Sequence, residues 1–177
     1  MSKYKNNDLF RFSSAGIYHH ELSKKRHLGL SAKVNYSWIS NTKVDSFFYF
    51  YAGGISGLKG YTYYSLGGTR KFTGELDLAI PLLRERHFTL GWFTLQNIAL
   101  VFITQAGDAW NPKFNNFTLK KSAGVQMRFQ GFSFYNYPTA IGIGIHHGFD
   151  NYSDPAGEYL GRLKEKNRVY FTMLFDF

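Results

Sequence analysis

From Leu28 to Trp38 every second residue is apolar: Leu28, Leu30, Ala32, Val34, Tyr36 and Trp38 alternate with Gly29, Ser31, Lys33, Asn35 and Ser37. A period of two puts one set on each face of an extended strand. The pattern returns in Phe72, Leu76, Leu78 and Ile80 against Thr73, Glu75, Asp77 and Ala79. Val125, Met127 and Phe129 likewise alternate with Gln126, Arg128 and Gln130, and Ile141, Ile143 and Ile145 with Gly142, Gly144 and His146. At the end of the sequence, Val169, Phe171, Met173, Phe175 and Phe177 share one face, with Tyr170, Thr172, Leu174 and Asp176 on the other. Phe10 and Phe12, Phe47 to Tyr51, and Ile98 to Gln105 supply less regular strands. The alternation therefore predicts an all-β chain of about eight antiparallel strands.

Alternation alone does not choose between a soluble sandwich and a membrane barrel, because either has one polar face. Two features point to the barrel. The apolar faces end in aromatics (Tyr36, Trp38, Phe129, Phe177), as an interfacial girdle requires. The connections also alternate in length, with 111–121 and 150–167 long and polar, and 40–46, 82–88 and 131–138 shorter. Counting back from a last strand that runs toward the periplasm makes 20–26, 53–70, 107–121 and 150–167 external. The stretch 53–70 lacks clean alternation. Its glycines and tyrosines predict a loop packed against the wall rather than free in solution.

Composition sharpens this picture. Of 177 residues, 19% are aromatic, with 18 Phe, 13 Tyr, 18 Gly and only 4 Pro, which suits strands better than helices. No run of about 18 apolar residues is present, but a spanning strand needs only about ten, alternately apolar. The net charge of +9 reads either as a solvated basic surface or as one that meets a partner; among partners an anionic membrane surface is favoured over nucleic acid, since no basic run is interleaved with aromatics. Cys is absent, so disulfide and thiol chemistry are excluded. The first residues, Met1 to Asp8, have no apolar h-region. With a membrane barrel, this implies that the chain is a piece of a longer exported precursor.

At the long loop, Leu58-Lys59-Gly60-Tyr61 resembles the V-R-G-F/Y motif of the Omp85-type (surface-antigen) family of outer-membrane β-barrels. Later features fall in the family's order. Gly67-Gly68 is followed by a strand carrying Glu75. Ile103-Thr104-Gln105-Ala106-Gly107 stands in the place of the F-x-D-x-G strand, and a C-terminal aromatic strand closes the series. The resemblance covers about residues 50 to 177. It implies the last eight strands of a sixteen-strand transmembrane β-barrel, with 53–70 folded inward; an independent eight-strand barrel is the structural alternative, since that number can close on itself. Its function would be protein insertion into, or translocation across, the bacterial outer membrane. The implied lumen residues are Asp77, Gln126 and Arg128 beside Glu75 and Gln105. The implied insertion signal is the last strand, with Tyr170, Met173, Phe175 and Phe177. The implied partners are outer-membrane lipid or lipopolysaccharide, client polypeptides and periplasmic or lipoprotein partners, with no nucleic acid and no cofactor. Two positions depart from the family: the motif Arg is Lys59, and the Asp that would receive it is Gln105. Glu75 remains, so a Lys59–Glu75 pair could still hold the loop.

Two other readings stand beside it. One is a passive barrel that anchors a fused upstream domain such as a hydrolase, and the departures at Lys59 and Gln105 favour this. The other is a small soluble or lipid-binding β-barrel.

Catalytic patterns fail on inspection, and no enzyme is expected. Gly142-Ile143-Gly144 begins like a dinucleotide fingerprint, but His147 stands where the third Gly belongs. Small residues on a crowded inner face explain these glycines better. His19-His20 and His146-His147 are neighbours, so each pair points to opposite faces, a poor geometry for a metal. The oxygen-rich stretch 150–154 lacks the calcium-loop pattern. Arg84-Glu85-Arg86 and the basic run 162–168 read either as solvated turns or as contacts to anionic lipid headgroups.

Overall fold

A computed structural model of the chain describes residues 9–41, 44–111, 117–134, 136–151 and 167–175. Seven long strands form an antiparallel meander: β1 (Arg11–Ser23), β2 (Leu28–Ile39), β5 (Arg70–Leu83), β7 (Phe93–Trp110), β8 (Lys120–Ser133), β9 (Tyr137–Gly148) and β10 (Asn167–Phe175). The short β6 (Phe88–Leu90) pairs with the start of β7 through a turn at Gly91-Trp92 and is the eighth strand of the sheet. Gly91 takes the positive φ of 58° that such a two-residue hairpin needs at its first position. The two-residue strands β3 (Phe50–Tyr51) and β4 (Gly67–Gly68) pair with each other inside the connection from β2 to β5. The sheet is open: β1 and β10 are its edges and do not meet.

Register turns the alternation of single strands into rows that cross the sheet. Lys33, Glu75, Gln105 and Ser122 stand opposite one another in one row. The next row on that face holds Ser31, Asp77, Ile103, Gly124, His146 and Arg168. Beyond it, Gln126 faces Gly144 and Arg128 faces Gly142. The other face carries Leu30, Leu78, Phe102, Val125, Ile145 and Val169 in a single row. A charged face and an apolar face therefore lie back to back across one layer of strands.

From β2 to β9 it is the charged face that is the better covered and the apolar face that is exposed, while β1 is exposed on both faces. Phe102, Val125, Met127, Ile143, Ile145, Val169 and Phe171 are all exposed. The buried apolar cluster instead comprises Ala52, Leu58, Tyr61, Leu66 and Ala109, with the connection from β2 to β5 packed on the charged side. A soluble sandwich buries its apolar face against a second layer, so this sheet is inverted relative to that architecture.

Two expectations are corrected. Residues 47–51 do not form a strand that crosses the sheet. Asp45 caps a 3₁₀ turn at Ser46–Phe48, its carboxylate accepting from the Phe47 N–H at 3.1 Å, and only Phe50–Tyr51 extend. The connection from β2 to β5 thus occupies 40–69 instead of a short 40–46. Removing that strand reverses the side assigned to 20–26. The turn after β1 lies at the end of the sheet shared by 84–92 and 134–136, opposite the connections at 40–69, 111–119 and 149–166. We call these the turn end and the loop end. Phe177 lies outside the described residues, as does most of the connection between β9 and β10.

Candidate functional site: a loop latched to the charged face

Residues 52–66 fold into a compact unit before they touch the sheet. The Leu58 N–H donates to the Ala52 carbonyl at 2.7 Å, Ala52 N–H to the Leu66 carbonyl at 3.1 Å, and Gly54 N–H to the Leu58 and Tyr61 carbonyls. Glycine is required at Gly57, where a Cβ would fall 2.1 Å from the Ala52 carbonyl oxygen. This turn presents Lys59 at its tip.

Lys59 reaches down to β5, where its ammonium donates to Glu75 Oε2 at 2.6 Å. Gln105, opposite Glu75 on β7, holds the loop backbone in both directions. Its carbonyl accepts from Lys59 N–H at 2.8 Å, and its amide donates to the Gly57 carbonyl and to Glu75 Oε2, each at 2.6 Å. Ser122 on β8 donates to the same Gln105 carbonyl at 3.0 Å. The glutamine makes contacts a carboxylate could not, since its amide accepts from one backbone group and donates to another, whereas an ionised carboxylate only accepts. The departure at position 105 leaves a complete, mostly buried network.

Behind the latch the charges alternate in sign. Lys33 on β2 donates to Glu75 Oε1 at 2.7 Å and to Asp77 Oδ2 at 3.2 Å, and Arg128 Nη2 lies 3.7 Å from that same Asp77 oxygen. Arg128 also donates through Nε to Gln126 at 2.8 Å. Lys59, Glu75, Lys33, Asp77 and Arg128 thus form one ladder that joins the loop to strands β2, β5 and β8. A cleft of about 240 Å³ opens between loop and wall, lined by Lys33, Asn35, Ser56, Lys59, Thr73 and Glu75 among others. Lys33 belongs to this site, although its sequence signal was only that of a polar-face residue.

A second anchor lies two strands away, and no motif announces it. Gly60 packs directly on Gly148 at the end of β9, where a Cβ on Gly60 would come within 2.6 Å of the Gly148 nitrogen. Tyr61, which is 1% exposed, donates its hydroxyl to the Lys121 carbonyl at 2.9 Å and accepts from the Asp150 N–H at 3.2 Å. Gly60→Ala is expected to lift the loop from β9 at a cost of about 1–3 kcal/mol. Limited proteolysis checks this, with cleavage within 53–66 faster than in the parent chain.

Burial pushes the Tyr61 phenol up to about 12, and the nearby Asp150 carboxylate adds to the shift. A folded value above the ordinary one means that this anchor is intact below pH 10 and weakens as pH rises toward 12. Loop protection, followed by hydrogen exchange, should therefore fall across that window. Tyr61→Phe should lack this part of the loss; an identical profile would show that the phenol does not anchor the loop.

The residues of the last strand divide between faces. Tyr170 stands on the charged face, its ring edge-on to His146 at 5.7 Å and to Tyr63 of the loop at 6.4 Å. Met173 pairs with Ile141 on the apolar face, and Phe175 pairs with Thr139. His146 is buried and His147 points to the other face, where it bonds Asn167 at 2.6 Å. Gly142 makes room for its neighbours, since a Cβ there would meet Gln126 Nε2 and Thr172 Oγ1, each at 2.5 Å. Comparison with protein-family models, with curated proteins and with solved structures finds no match to this chain.

Proposed function

We propose that the chain is one half of the wall of an outer-membrane β-barrel of Omp85 (surface-antigen) type, which inserts proteins into the bacterial outer membrane or moves them across it. One observation carries the membrane part of this reading: from β2 to β9 the sheet exposes its apolar face and largely covers its charged face. In water that arrangement leaves a broad apolar surface uncovered. In a bilayer the apolar face meets acyl chains, and the charged face lines a wet lumen. The five long strands from β2 to β9, of 12 to 18 residues, exceed the roughly ten needed to span when tilted.

The transport part rests on the docked loop together with the resemblance of Leu58-Lys59-Gly60-Tyr61 to the family motif. A lumen loop held by a few polar contacts acts as a mobile plug, and the open edges of β1 and β10 accept further strands by backbone pairing. The passive-anchor reading drew on the substitutions at Lys59 and Gln105. The Lys59–Glu75–Gln105 set supports instead a loop that is still held.

Vesicles carrying this chain test the reading. A heat-modifiable, protease-resistant species supports insertion, with β1 and β10 paired to one another or to a second copy, since unpaired strand edges do not stand in a bilayer. Faster folding of an unfolded barrel protein added from urea, relative to empty vesicles, supports the assembly role. Insertion without that acceleration points to the passive anchor, and a monodisperse protein in detergent-free buffer contradicts the membrane reading.

A further inference from the structure

The cleft between the loop and the wall is short of hydrogen-bond acceptors. Lys59 uses one of its three ammonium N–H groups on Glu75, and Lys33 uses two, on Glu75 and Asp77. Glu75 is the one carboxylate among the described residues that line the cleft, and both of its oxygens are engaged. Lys59 is mostly buried, so its two remaining donors have little access to bulk water.

The wall adds to that surplus. Asn35 on β2 and Thr73 on β5 face each other in the row next to Lys33 and Glu75, and both line the cleft. Thr73 is buried, and its hydroxyl has no hydrogen-bond partner among the described residues. One row further, Lys71 stands between Ser37 and Ala109 and is partly buried. Among the described residues, no carboxylate pairs with it. Two residues of strand, about 7 Å, separate it from Thr73.

Charge points the same way. Together the ladder and Lys71 set four cations, Lys33, Lys59, Lys71 and Arg128, against Glu75 and Asp77. The excess of two matches a phosphate group, which carries about −1.5 to −2 near neutral pH, whereas a carboxylate would offset only half of it. Lysine binds phosphate as a point charge. The cleft, at about 240 Å³, is several times the roughly 30 Å³ share of one water molecule, which leaves room for such a group.

We infer that the cleft behind the latch is a phosphate site, for inorganic phosphate or a small phosphomonoester. The group is seated over Asn35 and Thr73, with Lys59 of the loop on one side and Lys33 and Lys71 of the wall on the other. It bridges loop and wall, so bound phosphate tightens the latch. The site needs only the docked loop and holds whether the opposite face of the sheet meets lipid or water.

The test is hydrogen exchange of residues 52–66 in the full chain in detergent, with phosphate, acetate or chloride at matched ionic strength. A ligand that binds only the latched form slows opening by the factor 1 + [L]/Kd, about tenfold at ten times Kd. Protection should climb with phosphate and follow that dependence, while acetate and chloride leave it within about twofold. Lys71→Gln, a position that takes no part in the latch, should weaken the phosphate affinity read from this titration about tenfold. Lys24→Gln, which removes the same charge from the exposed turn after β1, should leave that affinity within about twofold. Glycerol 3-phosphate separates the two sources: a response equal to that of inorganic phosphate assigns the site to a phosphomonoester, and no response assigns it to free phosphate. Protection that ignores both phosphates overturns the site while leaving the docked loop intact. An equal gain from acetate or chloride overturns it in favour of general anion screening, and an equal loss from Lys24→Gln in favour of diffuse charge. No protection with any anion overturns the docked loop and the site together.

Discussion

Replacing Glu75 by alanine should free the loop more completely than replacing Lys59, the residue at its tip. Glu75 serves three donors: Lys59 and Gln105 at Oε2, and Lys33 at Oε1. Its removal leaves the mostly buried Lys59 ammonium, 13% exposed, with no counter-charge, and breaking a buried pair from one side costs about 3–5 kcal/mol. Lys33 keeps Asp77 and is less affected. Lys59→Ala, in contrast, leaves Glu75 paired with Lys33 and Gln105, and the backbone N–H of residue 59 still donates to Gln105. Its cost should be nearer the roughly 1.5–3 kcal/mol of one charge-assisted hydrogen bond, about half as much. Hydrogen exchange across residues 52–66 reads the difference. Protection should be nearly lost in Glu75→Ala and partly kept in Lys59→Ala, held there by Gln105, Gly60 and Tyr61. The reverse order would mean that Glu75 is not the hub of the network.

The second large effect is expected on the opposite face. Phe102 sits in the middle of the apolar row between Leu78 and Val125 and is 41% exposed. In a water-soluble sheet, arginine at such a site would be nearly neutral, within about 0.5 kcal/mol. In a membrane wall, arginine on the lipid face near the midplane costs about 2–4 kcal/mol. Phe102→Arg should therefore lower the yield of heat-modifiable protein in vesicles by well over tenfold. His19→Arg, on the charged face of β1, should fold as the parent chain does. The pair separates the sidedness of the sheet from a general intolerance of charge.

The strands were legible because two-residue periodicity survives in single segments: β2, β5, β8 and β9 all carry their apolar residues on the face that the sequence assigns. Sheet edges and register were not. Five consecutive aromatics, Phe47 to Tyr51, have strong β propensity, yet the Asp45 cap turns the first of them into a 3₁₀ turn. That local hydrogen bond defeated the propensity and carried the side of the β1–β2 turn with it. Within the site, Lys59, Glu75 and Gln105 could be singled out because a motif and two polar-face positions mark them. The Gly60–Gly148 and Tyr61–Asp150 contacts join residues about ninety positions apart, and only the register of β9 brings them together. Lys33 falls between these cases, its face readable and its partners not.

The sidedness of the sheet can be measured directly, because the chain has no cysteine of its own. Single cysteines at Val125, Ile143, Ile145 and Phe171 on the apolar face, and at Ala15, His19 and Thr172 on the charged face, would each carry a small fluorophore in vesicle-reconstituted protein. A lipid-borne nitroxide should quench the first set and aqueous iodide the second, with the two patterns alternating along each strand. Iodide quenching of both sets alike, with no effect of the nitroxide, would contradict the membrane wall and place the apolar face in water.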